Sequence, residues 1–414
     1  MVKRLAILLV LVVGCKWTDF DDLSDQTWVK STEKPTNDAS DYGVAIARGL
    51  RVGSGGGTLV ALGTGQALYT ELVYDASGNS SLASNEVKLN NDFAIASLVD
   101  QPLLLADPES DDISLVVASG GNSIAVLTGT GMLNVQQVFN QNSPDGATYI
   151  KFDAAQKTQP IVGAGTTVFG VDTLDAQTQH TCTLTDATAQ PIQIAALGAG
   201  KIDATDMTEK LVVWTKTGQL LIYDSTVWSG TAAGCTGTAP ILASVDTGFT
   251  PGTGAQVFTI KDNMDKDTTF VVLAGRQAST GGGPNGQAAR IAMYDLSGTS
   301  PTLVGAPLDR PGLHGMAVAS FDGGNTQFFI AGYPSDTDGS VDGGDVLVFP
   351  LTTTAGVNPS PVVTLSDAQP ESGQSFGRAV TAMPFNGKTA LVVAADNEIY
   401  AYVQCDPLYT DLRQ

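Results

Sequence analysis

One apolar segment ending in small residues recurs seven times along this chain, and that recurrence limits the possible folds more than any other feature. Its copies lie at 59–63, 115–119, 161–165, 211–214, 270–275, 328–332 and 391–395, for instance as Leu115-Val116-Val117-Ala118-Ser119 and Phe270-Val271-Val272-Leu273-Ala274-Gly275. The interval between copies runs from about 45 to 63 residues, the range of four-stranded propeller blades. A small-residue or alternating segment precedes each copy, as in Gly315-Met316-Ala317-Val318-Ala319. An alternating segment follows, often closed by an aromatic, as in Ile291-Ala292-Met293-Tyr294. A strand that is apolar throughout is one covered on both faces, and a small-residue strand suits the crowded centre of a ring. The first six units add a more polar fourth strand, such as 86–89 or 362–365. The seventh has none, while Thr27-Trp28-Val29 stands unassigned ahead of the first unit. The pattern predicts an all-β fold with few helices: a seven-bladed β-propeller whose ring is closed by an N-terminal strand, which leaves no sheet edge open. Eight blades or a pair of β-sandwiches are the alternatives.

Composition agrees with a large, soluble-type core. The chain is 43% hydrophobic and 15% charged, and its 46 glycines suit many tight turns. Acids outnumber bases two to one, for a net charge of −21. Phosphate backbones repel such a body, so nucleic acid is excluded as a partner.

The N-terminus points to export. Met1-Val2-Lys3-Arg4 and an apolar run, 5–13, that is too short to span a bilayer are the parts of a secretory signal. Leu11-Val12-Val13-Gly14-Cys15 resembles the bacterial lipobox. That resemblance implies that Cys15 is acylated on sulfur, becomes the mature N-terminus and holds the protein to a membrane. It divides the chain into a signal peptide (1–14), a lipidated tether (15–26) and a single propeller domain (27–409). Loss of Lys3 and Arg4 with the signal leaves a mature charge of about −23. Lys16 stands where an aspartate would signal inner-membrane retention, so an outer-membrane lipoprotein, periplasmic or surface-facing, is expected.

Three further cysteines remain, Cys182, Cys235 and Cys405, with no Cys-x-x-Cys pair to suggest zinc or thioredoxin chemistry. In an oxidising compartment two of them should pair. Spacing alone does not single out the odd one. The expected pair is Cys182 with Cys235, about one blade interval apart, leaving Cys405 free.

Ala331-Gly332-Tyr333-Pro334 followed by Gly344-Asp345-Val346-Leu347 resembles the FG-GAP repeat of integrin α-chain propellers, and its opening Phe-Gly has counterparts in Phe376-Gly377, Tyr42-Gly43 and His314-Gly315. The chain as a whole looks like the FG-GAP-like propeller lipoproteins of Gram-negative bacteria. The resemblance implies a propeller with an extracytoplasmic binding role and no enzymatic activity. Blades of that family often carry a calcium loop, Asp-x-Asp-x-Asp-Gly-x-x-Asp. Asn263, Asp265 and Asp267 keep its alternate spacing, but Thr268 replaces the glycine and no acid follows before the strand. They stay calcium candidates, with solvated turn acids as the simpler reading; no other cofactor is expected.

Little points to catalysis. The two histidines read as a packing residue (His314) and a surface-loop residue (His180), and no Gly-x-Ser-x-Gly elbow accompanies them. A hydrolase or lyase built on a carboxylate pair, and an envelope-assembly scaffold, are the competing functions. The expected function is a membrane-anchored, non-catalytic propeller that binds a protein or glycan through loops on one face. The longest connections between second and third strands carry the candidate contacts: Arg276 and Arg290 around the first, and Asp336, Asp338 and Asp342 in the second.

Overall fold

A computed structural model describes the strands between residues 29 and 140, and then 145–151, 159–171, 179–202, 208–224, 241–261, 267–276, 289–321, 326–334, 344–366, 375–385, 388–395 and 398–403. Among these residues every regular element is a strand. Seven antiparallel sheets of four or five strands follow one another along the chain, and a two-stranded pair joins Gly65–Gln66 to Ala94–Ile95. Each of the seven recurrent apolar segments is the second strand of its own sheet. The two large stacked layers of a sandwich pair are not what these residues form.

The first strands of successive sheets lie side by side: Ala45–Arg48, Leu103–Ala106, Gly146–Ile150, Ile194–Gly200, Thr250–Lys261, Gly315–Ala319 and Ala379–Phe385, the last lying against Ala45–Arg48 again. In the seventh sheet the outer strand comes from the other end of the chain. Val29–Glu33 pairs antiparallel with Glu398–Val403, Val29 opposite Tyr402 and Glu33 opposite Glu398. The expected Thr27-Trp28-Val29 segment therefore begins its pairing at Val29, and Trp28 is outside the described residues. In the first sheet Ser80–Ser81 pairs with the third strand, and the expected fourth strand at 86–89 lies outside the described residues. In the sixth sheet the third strand, Asp345–Thr352, pairs with both Gly356–Val357 and Val363–Ser366.

Side-chain alternation explains why the second strands are apolar throughout. Leu211 and Val213 join a core between the third and fourth sheets, while Val212 and Trp214 join the next one, between the fourth and fifth. In the fifth sheet Val271 and Leu273 turn back to that core, and Phe270, Val272 and Ala274 turn forward to Phe329 and Tyr333 of the sixth. Phe328 and Ile330 complete the series against Leu391 and Val393 of the seventh. Each Val, Leu, Ile or Phe among them contributes about 1.5–3 kcal/mol by leaving water, so the middle of the strand is apolar on both faces.

Candidate binding rim

In a four-stranded antiparallel meander the end of the second strand, the start of the third, the end of the fourth and the start of the first share one edge. In the fifth sheet that edge holds Arg276, which ends its strand opposite Ala289, and Arg290, opposite Asp309. Arg310 follows the fourth strand directly and leads toward Gly315 of the sixth sheet. Arg378 directly precedes the first strand of the seventh. The chain has eight arginines, and these are its only ones between residues 52 and 412. All four stand on one rim of three consecutive sheets.

The rim is held together by backbone contact, and glycine makes that contact possible. A Cβ on Gly332 would overlap the carbonyl oxygen of Gly377, and one on Gly344 the carbonyl oxygen of Phe376. Gly344 and Gly377 have φ of 79° and 88°, a region that glycine enters without steric cost. Phe376 itself is fully buried, edge-on to Tyr400 and Tyr402 of the seventh sheet. Residues 331–334, 344–345 and 376–377, which carry the FG-GAP resemblance, thus meet at one junction between two sheets. The same junction recurs between the fourth and fifth sheets. There the carbonyl oxygen of Phe249 faces Gly218 (φ 86°), and its ring packs edge-on to Trp214 at 5.3 Å.

The polar groups of the rim are tied to one another. Arg290 makes a bidentate pair with Asp309, Nε to Oδ1 and Nη2 to Oδ2, both at 2.8 Å. That hydrogen bonding raises the guanidinium's pKa and holds the Asp309 carboxyl below the ordinary carboxylate range. The Arg310 guanidinium lies 4.8 Å from the ring centre of Tyr333, in cation–π range. Asp345 is buried and accepts a hydrogen bond from Ser366 Oγ at 2.8 Å. On the same edge of the third and fourth sheets, Lys216 Nζ meets Asp145 Oδ1 at 2.6 Å, and the other Asp145 oxygen accepts from the Gly165 amide at 2.7 Å.

The structure places the expected site residues unevenly. Arg276 is exposed at the rim and Arg290 is half-buried in its pair with Asp309. Asp336, Asp338 and Asp342 belong to a connection outside the described residues, as do Asn263, Asp265, Cys15, Cys235 and Cys405. Asp267 opens the second strand of the fifth sheet opposite Lys261, at the edge away from the arginines. Among the described residues no group of three or more His, Cys, Asp or Glu is arranged to hold a metal ion. Cys182 is buried and disulfide-bonded.

Both histidines correct the sequence reading. His180 is in a strand, Gln179–Thr183, opposite Gly170. His314 is exposed, with Leu313 buried beside it, while Phe376 is buried. The reason is register: the His314 amide donates to the Gly332 carbonyl and the Gly377 amide to that of Ala394, so His314 does not occupy the slot of Phe376. Arg310, Arg378, Asp145 and Lys216 are rim residues that the sequence does not single out. Their signal was position, since each directly flanks a strand end on this edge, and strand ends are the least legible part of such a sequence.

No protein-family model matches the sequence, and no curated protein matches it. Solved structures similar to it include BBS1N in complex with ARL6DN, soaked with lead, at 15% identity and a TM-score of 0.42. The same complex soaked with mercury is similar at 14% identity and 0.41. Each comparison covers 74% of this chain and 92% of the matched one.

Proposed function

We propose that this protein is a seven-bladed, FG-GAP-like β-propeller, closed by its N-terminal strand and anchored in the bacterial outer membrane through lipid on Cys15, that binds a protein or glycan partner without catalysing a reaction. One observation carries the binding reading. The third and fourth sheets turn from second to third strand in two and three residues, 165–166 and 216–218. The fifth and sixth use 277–288 and 334–344 at the corresponding place, beside the arginine rim. Two long connections thus leave one edge of adjacent sheets, where loops can vary without disturbing the strands' own packing. The non-catalytic reading is supported by the scarcity of histidine and the lack of a nucleophile motif. Calcium at Asn263, Asp265 and Asp267 stays a subsidiary proposal, and isothermal titration with Ca²⁺ tests it.

Shortening both connections to tight turns is the test. The expected result is loss of the partners crosslinked to the parent protein in intact cells, with the melting temperature retained. Undiminished crosslinking by the folded variant overturns the binding face.

A further inference from the structure

The register of the closing strand says which face of the molecule looks toward the lipid. Glu398–Val403 begins at the arginine-bearing edge, because it is a third strand; its partner runs antiparallel, so Glu33 stands at that edge and Val29 at the opposite one. The chain therefore enters the seventh sheet from the edge where first strands turn into second strands. Lys151, Lys201, Lys210, Lys261 and Lys388 belong to that edge, as their pairings and connections place them. Cross-sheet contacts keep the edges aligned. The Glu209 amide donates to the Lys151 carbonyl and Thr269 Oγ1 to that of Lys201 on the lysine side, while Thr253 Oγ1 donates to the Leu313 carbonyl on the arginine side.

We infer that, resting on the tether reading of Cys15, the lysine-bearing face is turned toward the membrane and the rim of Arg276, Arg290, Arg310 and Arg378 is presented away from it. Cys15 precedes Val29 by 14 residues, a reach of at most about 50 Å. The direct path from Val29 runs away from the rim. Reaching the lipid from the arginine side would use about 17 Å of that length, a third of it, to double back along the five-residue outer strand.

The test uses the full, lipidated protein on phosphatidylcholine vesicles that carry an energy-transfer acceptor on their headgroups. A fluorescent non-natural amino acid is placed at Lys201 or at Thr217, both exposed and at opposite edges of the fourth sheet. The six-residue strand Lys210–Thr215 separates those edges by about 20 Å. Transfer from position 201 should be severalfold stronger than from 217. Equal or reversed transfer from vesicle-bound protein overturns the orientation and leaves the tether standing. Failure of the processed protein to bind vesicles at all overturns the tether, and the orientation with it.

Discussion

Gly332 and Gly377 carry more of the fold than their size suggests, because the atom nearest to each is a backbone oxygen of the neighbouring sheet, which cannot swing aside. Gly332→Ala forces the sixth and seventh sheets apart, and a loss of at least about 1–3 kcal/mol is expected from urea unfolding. Phe376→Ala empties the same junction from the other side and should cost about 3–5 kcal/mol, as for other buried aromatics. Smaller effects belong to the polar ties. Tyr223 donates its hydroxyl to the Thr185 carbonyl at 2.9 Å across the third and fourth sheets, and burial raises its pKa. Tyr223→Phe should therefore cost about 1 kcal/mol. Asp309 titrates lower when folded than when unfolded because it accepts from Arg290. Its pairing thus contributes stability above the unfolded carboxylate value, near 3.9, and loses it as pH falls through the folded one. The pair is partly exposed, so the difference between parent and Asp309→Asn should stay below about 1 kcal/mol at neutral pH and vanish in acid. A difference that grows on acidification would contradict this assignment.

At the scale of elements, the outer strand Val29–Glu33 leaves the edge of Glu398–Val403 unpaired when it is removed. Deleting 29–33 should lower the melting temperature and promote aggregation through that edge; unchanged melting and solubility would make the segment a mere leader to the first sheet. Cys182 is a second element-scale tie. Its proposed bridge to Cys235 would span the third and fourth sheets, and Cys182→Ser should cost about 2–4 kcal/mol. Non-reducing peptide mapping that joins Cys182 to Cys405 would refute the pairing. The second strands were the legible part of this chain, since burial on both faces leaves an uninterrupted apolar run such as Val271 to Ala274. The polar outer strands were less so. Ser80–Ser81 has no apolar signature at all, and register slips such as the one at His314 depend on turns that a short motif does not encode. The rim was half legible: Arg276 and Arg290 flank a glycine-rich connection visible in the sequence, whereas Arg310 and Arg378 join them only because the edges of three sheets align.

The whole molecule is strongly acidic, and this decides how a tether must work. At −21 for the full chain, the body as a whole is repelled by anionic headgroups, so the few lysines on the face turned toward the bilayer add little to holding it there. Even the arginine rim sits in that acidic field, and on the proposed orientation it faces away from the bilayer. On the tether reading, attachment comes mainly from acyl chains, and stable anchoring takes more than one of them, as a lipobox cysteine would supply. Two outcomes follow. High-salt washing should leave the protein in the membrane fraction, because there is little electrostatic hold to screen. Cys15→Ser should leave it unprocessed or release it, and a version lacking 1–15 should melt at the parent temperature, since the pairing of the outer strand begins at Val29. Release of the parent protein by salt, or normal processing and membrane association of Cys15→Ser, would place the anchor elsewhere in the chain.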